Sequence, residues 1–218
     1  MDAQFWHDKW DQNDIGFHEA DVNPGIITHF GTVAPPTPAR VFVPLCGKTR
    51  DIAWLMGQGY HVVGAELSTL AITELFAELS ITAQVADRST GQHFAGPGID
   101  IFVGDIFDLT SKDVGQIDVV YDRAALVALP SDLRLKYAAH IAELSGAAPQ
   151  LLLCFEYDQT AMNGPPFAVD ETEIQRVYGS AYDIAPLARK PISGRLKARL
   201  HASDLADHTA WALRPLGD

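Results

Sequence analysis

Apolar positions along this chain recur with two periods, and the points where one period gives way to the other mark its elements. Val41, Phe42, Val43, Pro44 and Leu45 form a short β-favouring run that stops at Cys46-Gly47. Asp51 to Gln58 then continue as a predicted helix, closed by Gly57 and Gly59. Tyr60 to Ala65 is a second, valine-rich run that finishes at Glu66, and the distance from the first turn is that of a βαβ unit. Ser68 is predicted to cap a helix reaching Leu79, with Leu70, Ile72, Leu75, Phe76 and Leu79 as its buried face. Residues 81–98 alternate weakly around Ser89-Thr90-Gly91 and read as an exposed hairpin, with Asp87 and Arg88 as solvated charges. Ile99 to Val103, Ile117 to Tyr121 and Pro149 to Tyr157 are further predicted strands. Ser131 opens a helix to Leu144, Val169-Asp170 opens another to Tyr178, and Tyr182 to Leu187 with Thr209 to Leu213 form a final antiparallel pair. Ahead of the first strand, Phe5, Trp6 and Trp10 recur about once per turn, so Ala3 to Trp10 is predicted as an amphipathic helix. A loop to Phe17, a helix from Asn23-Pro24 to Phe30, and a linker of Gly31 and prolines 35, 36 and 38 follow it. The pattern predicts one three-layer α/β domain over 1–218. An N-terminal cap and linker occupy 1–39, and a core over 40–218 is built on a mostly parallel seven-stranded sheet.

Composition narrows the partners more than the fold. The chain has 218 residues, 47% of them hydrophobic and 20% charged, which suits a single globule with a proper core. A net charge of −12 disfavours nucleic acid, whose binders need a basic face to release counterions. Two cysteines, Cys46 and Cys154, make neither a disulfide framework nor a zinc cluster. No basic-then-apolar leader and no long apolar run is present, so no membrane association is expected, the compartment is expected to be the cytoplasm, and the chain is expected to be a monomer. His7, His18 and His29 are too widely spaced to suggest a metal, and none is expected.

The first βαβ unit carries the chemistry. A backbone turning sharply at Gly47 can approach a ligand closely, and a carboxylate at the tip of the next strand, Glu66, can accept hydrogen bonds from both hydroxyls of a ribose. The glycine pattern is not G-x-G-x-x-G, because Gly47 stands alone. Gly47-Lys48-Thr49 imitates the end of a P-loop, yet Phe42 stands where that loop needs its first glycine, so no phosphate cradle forms. A nucleoside without a diphosphate remains, and S-adenosyl-L-methionine is the common cofactor of that kind. Asp105 and the amide of Ile106, after the third strand, are placed to meet an adenine edge, although an Asp there also serves as a turn former. Arg123 follows the fourth strand, at the carboxyl edge where open parallel sheets bind ligands. Asn163 to Phe167 is a stiff loop that either presents Phe167 to a flat substrate or is a turn with a packed Phe.

PLCGK at 44–48, GAELS at 64–68, DIFDL at 105–109, YDRAALVAL at 121–129 and GPPF at 164–167, with FWHDKW and GFHE near the start, together resemble the thiopurine S-methyltransferase family. The resemblance runs from about Phe5 to Tyr178 and fades after about Ala188. It implies the Rossmann-like fold of class I S-adenosylmethionine-dependent methyltransferases, and methyl transfer to small thiols of thiopurine type. For a bacterial-type member, the resemblance leaves selenium or tellurium detoxification open as a related alternative. It also implies that Trp10, Leu45, Glu66 and Arg123 contact the cofactor, and that the N-terminal segment closes over it. Phe17 and Phe167 are expected to face the substrate, and Arg123 to hold a thiolate as the catalytic group. Three other classes stay open at this stage: another small-molecule methyltransferase, a nicotinamide-dependent oxidoreductase lacking two of its glycines, and a nucleoside-binding module without turnover.

Overall fold

The computed structural model describes residues 3–200 and 206–217. Nine strands form one sheet in the order β3-β4-β5-β2-β1-β6-β7-β9-β8. At its centre, β1 (Arg40–Val43), β2 (His61–Glu66), β5 (Ile99–Val103), β6 (Val119–Arg123) and β7 (Gln150–Tyr157) run parallel. Their side chains are almost continuously apolar, as a sheet covered on both faces requires. α3 (Arg50–Gly57) and α4 (Thr69–Glu78) serve one face, where Ile52, Leu55, Ile72, Leu75 and Phe76 pack on Val41, Val43 and Ile101. α6 (Ser131–Ser145) and α7 (Glu171–Tyr178) serve the other, placing Tyr137, Ile141, Ile174 and Tyr178 against Phe42, Val120 and Leu152.

The sheet exceeds the seven strands predicted. The expected hairpin, β3 (Gln84–Arg88) and β4 (Gly91–Gly96), does not stand apart; β4 pairs antiparallel with β5 from Gln92↔Val103 to Gly96↔Ile99. A strand left on the edge presents unpaired amides and carbonyls, and the hairpin satisfies those of β5. Arg88 is therefore not a solvated charge. It is ion-paired to Asp113 and lies over the ring of Phe102, 5.1 Å from the centroid. Leu70 is also exposed, with Ala71 taking the inward position that the helical pattern had given it. Ser68 caps α4 through Ala71 N–H (3.2 Å) as expected, whereas Ser131 is the first residue of α6 and Pro130 its cap position.

At the opposite edge, β8 (Tyr182–Pro191) and β9 (Ala206–Pro215) form the predicted antiparallel pair, but each extends past its sequence-based limits. Their register shifts between Pro186 and Ala188, where proline has no amide to give to the ladder. The divergent segment 189–208 thus supplies the outer end of this ribbon and α8 (Gly194–Arg199), with residues 201–205 outside the described set. Ile192, Leu200 and Ala206 pack on Tyr157, which reaches Pro166 O at 2.5 Å and so carries the 164–167 loop.

The N-terminal elements are α1 (Ala3–Asp11) and α2 (Pro24–His29), the latter capped by Asn23 Oδ1 on Gly25 N–H at 2.8 Å. No helix among the described residues is long and apolar enough to cross a membrane.

Candidate active site

Because β2 and β6 flank β1 on opposite sides, the chain reverses direction across the sheet at β1, and the crevice beyond the strands' carboxyl ends opens there. Turns after β1, β2 and β6 meet at this edge. The turn after β1 places Leu45 at φ 45° and Gly47 at φ 50°, and β6 is followed by Ala124 at φ 62°. Two non-glycine residues in the left-handed region, at the ends of adjacent strands, store strain of about 1–2 kcal/mol each. The surrounding hydrogen bonds hold that strain: Cys46 N–H donates to Ala65 O at 2.9 Å and ties the first turn to β2.

Glu66 ends β2 and is buried. Its Oε2 accepts from Gly47 N–H at 2.8 Å, and its Oε1 accepts from Leu67 N–H (2.8 Å) and Ser68 N–H (2.9 Å). Burial pushes its pKa above the ordinary carboxylate value, while the amides of Ser68, Gly47 and Leu67 pull the other way. A carboxylate offers about four acceptor positions, so three amide bonds leave one for a hydroxyl, and a second hydroxyl requires one amide to yield. Lys48 is turned towards α4. Its ammonium pairs with Glu74 at 2.9 Å and Glu78 at 2.8 Å on α4.

Trp10 is the buried residue of α1 and covers this turn: a Cβ built on Gly47 would stand 3.0 Å from its ring. Phe17 packs edge-on against Trp6 (5.6 Å between centroids) and Trp10 (5.5 Å), so the three rings form one cluster. Asp105 is exposed and its carboxylate accepts from Phe107 N–H at 2.9 Å, the turn-forming alternative. Ile106 is buried, with its carbonyl accepting from His140 at 2.7 Å, and the turn is anchored through Gly104 N–H to Glu66 O at 2.9 Å. Phe167 lies over Gly164 and donates its N–H to Val127 O at 2.7 Å, while Arg134 sits 5.8 Å above its ring. It is therefore attached to the loop following β6, and the described contacts join it neither to Phe17 nor to Arg123.

Arg123 is the last residue of β6, with its side chain 13% exposed between two carboxylates. Glu19 Oε2 stands 2.7 Å from one terminal nitrogen, and Asp51 Oδ2 stands 3.8 Å from the other, which also reaches Thr49 Oγ1 at 3.4 Å. Asp51 is buried and accepts from Tyr121 O–H (2.9 Å) and Asn23 N–H (2.8 Å). Burial and the neighbouring Asp51 charge hold the Tyr121 phenol well above its usual pKa, so it remains a donor. Glu19, Asp51 and Tyr121 were not among the residues singled out from sequence. Asp51 read as part of a helix start and Tyr121 as a strand residue, and only folding aims them at Arg123. His208 was missed too: β9 brings it opposite Phe155, with ring centroids 4.9 Å apart. Burial lowers its pKa, with the nearby Glu19 charge opposing and Arg123 reinforcing the shift.

The sheet order, the acid after β2 and the ligand edge at β1 define the chain as having the fold of the S-adenosylmethionine-dependent methyltransferases. The Burkholderia thailandensis 1,6-didemethyltoxoflavin-N1-methyltransferase, solved with S-adenosylhomocysteine, superposes with a TM-score of 0.63 at 17% identity, covering 97% of this chain and 86% of that one. Magnesium protoporphyrin IX methyltransferase from Synechocystis, solved with S-adenosylmethionine, gives a TM-score of 0.59 at 16% identity and covers 98% of each. More narrowly, the profile of the thiopurine S-methyltransferase family matches residues 1–213, past the point where the recognisable motifs fade, and the chain belongs to that family. A thiopurine S-methyltransferase of Xanthobacter autotrophicus is 50% identical over 93% of this chain and 95% of its own length. One from Teredinibacter turnerae is 47% identical over 98% and 97%.

Proposed function

We propose that the protein transfers the methyl group of S-adenosylmethionine to small aromatic or heterocyclic thiols of thiopurine type, acting as a monomer in the cytoplasm. The buried Glu66 carboxylate bound to the Gly47 amide carries this assignment: it offers an acceptor to a ribose at the β1 edge, where Lys48 is turned away to Glu74 and Glu78. When bound, S-adenosylmethionine supplies a methyl already activated on a sulfonium.

This chain's residues have correspondingly little covalent work. Glu66 holds the ribose, the Leu45 to Gly47 turn receives the methionine end, and Ile106 with the Asp105 turn borders the adenine. Trp10, Trp6 and Phe17 must lift from the Gly47 turn to admit the cofactor and close again to exclude water, which makes α1 a lid. Arg123 holds the acceptor. A planar guanidinium fork suits a thiolate or a ring nitrogen, so the site can select an anion that is already present. Phe167, on the loop that Tyr157 holds through Pro166 O, forms the far wall against a flat ring.

The test is transfer of labelled methyl from S-adenosylmethionine to a series of thiols, with calorimetry for S-adenosylhomocysteine. Transfer that rises with the ionised fraction of the thiol is expected. Tight NAD binding with no response to S-adenosylhomocysteine would overturn the cofactor, and binding without transfer to any thiol would leave a nucleoside-binding module.

A further inference from the structure

Arg123 is flanked by two carboxylates of opposite character. Asp51 is 1% exposed, locked by Tyr121 O–H and Asn23 N–H, and lies 3.8 Å from the guanidinium. Removing such a group from its partners leaves uncompensated buried charge, so Asp51 is a permanent counter-ion. Glu19 is 51% exposed, comes from the loop between the lid cluster and α2, and makes the closer contact at 2.7 Å. An ion pair with one partner in solvent is weak and readily exchanged.

The Arg123 guanidinium thus has one fixed anionic neighbour, and its other anionic position is filled by a replaceable side chain. We propose that Glu19 is a displaceable counter-ion that occupies the acceptor's anionic seat on Arg123 and competes with an entering thiolate for it. This rests on the methyltransferase function assigned above. A thiolate exchanges one anion for another on Arg123. A neutral thiol offers no charge in return and leaves the pair in place, so the competition falls on the thiolate alone. Because Glu19 lies two residues beyond Phe17, releasing it also frees the end of the lid loop that carries the Phe17 ring between Trp6 and Trp10. Acceptor entry and lid movement therefore share one contact. His208 faces the same pair from β9, and burial together with the Arg123 charge favours its neutral form, so Glu19 remains the exchangeable charge.

The substitution Glu19→Gln keeps the side chain's size and removes its charge. Binding of an acidic aromatic thiol and of an alkyl thiol to the complex with S-adenosylhomocysteine is compared with wild type by calorimetry at neutral pH. The aromatic thiolate is expected to bind about two- to fivefold more tightly to Glu19→Gln, the gain that loss of a weak competing ion pair allows. The alkyl thiol, largely un-ionised, should change by less, and S-adenosylhomocysteine affinity should stay as in wild type. Steady-state kinetics should place the same change in KM rather than kcat. Weaker binding of both thiols together with weaker S-adenosylhomocysteine binding would make Glu19 a structural anchor of the lid. Unchanged thiolate affinity, or no thiolate binding to either protein, would equally overturn the proposal. The binding readout needs no turnover, so a wild-type protein that takes up the thiolate and transfers no methyl would count against the assigned activity and not against the role of Glu19.

Discussion

Replacing Glu66 with Gln separates two tasks that the carboxylate performs at once. In the folded chain it accepts three backbone amides, two on Oε1 and one on Oε2. A glutamine keeps one acceptor oxygen and turns an NH2 towards whichever donors the other oxygen had served. If the oxygen stays with Leu67 and Ser68, the Gly47 amide faces a donor, and the tie between the β1 turn and the end of β2 is lost. A hydrogen bond to a charged group contributes about 1.5–3 kcal/mol, and a domain of this size loses roughly 2–4 °C in Tm per kcal/mol. The ligand-free variant is thus expected to melt about 3–12 °C below wild type by calorimetry. Affinity for S-adenosylhomocysteine should fall by about one to two decades, since the ribose loses a charged acceptor. The pH dependence follows the same group. Glu66 has a raised pKa, so its charged form, and the cofactor affinity that depends on it, is lost on acidification at a higher pH than for an ordinary carboxylate. Glu66→Gln should remove that acid limb. An unchanged Tm with wild-type affinity would refute both roles and leave Glu66 as a strand-end charge.

Arg123→Ala is expected to lower methyl transfer at least tenfold, and equal rates for the two proteins, or alkyl thiols reacting as fast as aromatic ones at neutral pH, would defeat anion selection. Hydrogen exchange across residues 3–17 should slow on saturation with S-adenosylhomocysteine, and an unchanged pattern would count against a lid. Gly47→Ala should cost about 1–2 kcal/mol in urea unfolding, because the new methyl meets Trp10 in a left-handed conformation; full stability would mean that the turn relaxes freely. Asp122 is buried beside the site, bonded to Tyr137 O–H at 2.8 Å and Leu126 N–H at 3.1 Å, and burial pushes its carboxyl up to about 6 from 3.8. Its stabilising contribution is present below pH 3.8 and is lost as pH rises through about 6. Relative to Asp122→Asn, wild type should therefore lose about 3 kcal/mol of unfolding free energy between those limits, and parallel pH profiles would place the charge in water.

Much of this molecule is legible before folding because its information is local. The apolar runs at 41–45 and 60–65, the tight turn between them and the acid at 66 are neighbours in sequence, and a parallel buried strand announces itself by having no polar face. The caps at Asn23, Ser68 and Asp170 are read the same way, each through a side chain bonding to an amide within three residues. Motif order sufficed for the family, and the sheet order agrees with it.

What required tertiary structure is everything decided by pairing across the sheet or by burial. The 81–98 hairpin looked exposed because its own residues are polar, but the open edge of β5 captured it and turned seven strands into nine. The outer ends of β8 and β9 escaped notice because proline interrupts one and charges fill the other, while their pairing is fixed by the partner strand. Arg123 was recognisable as the residue at the end of a strand. Its two counter-ions were not, since Glu19 lies 104 positions away and Asp51 72 away, and nothing in the pattern around either acid points at a guanidinium. Sequence determines which groups can act; only packing, by burying Asp51 and leaving Glu19 in water, decides which of two identical charges is fixed and which can be exchanged.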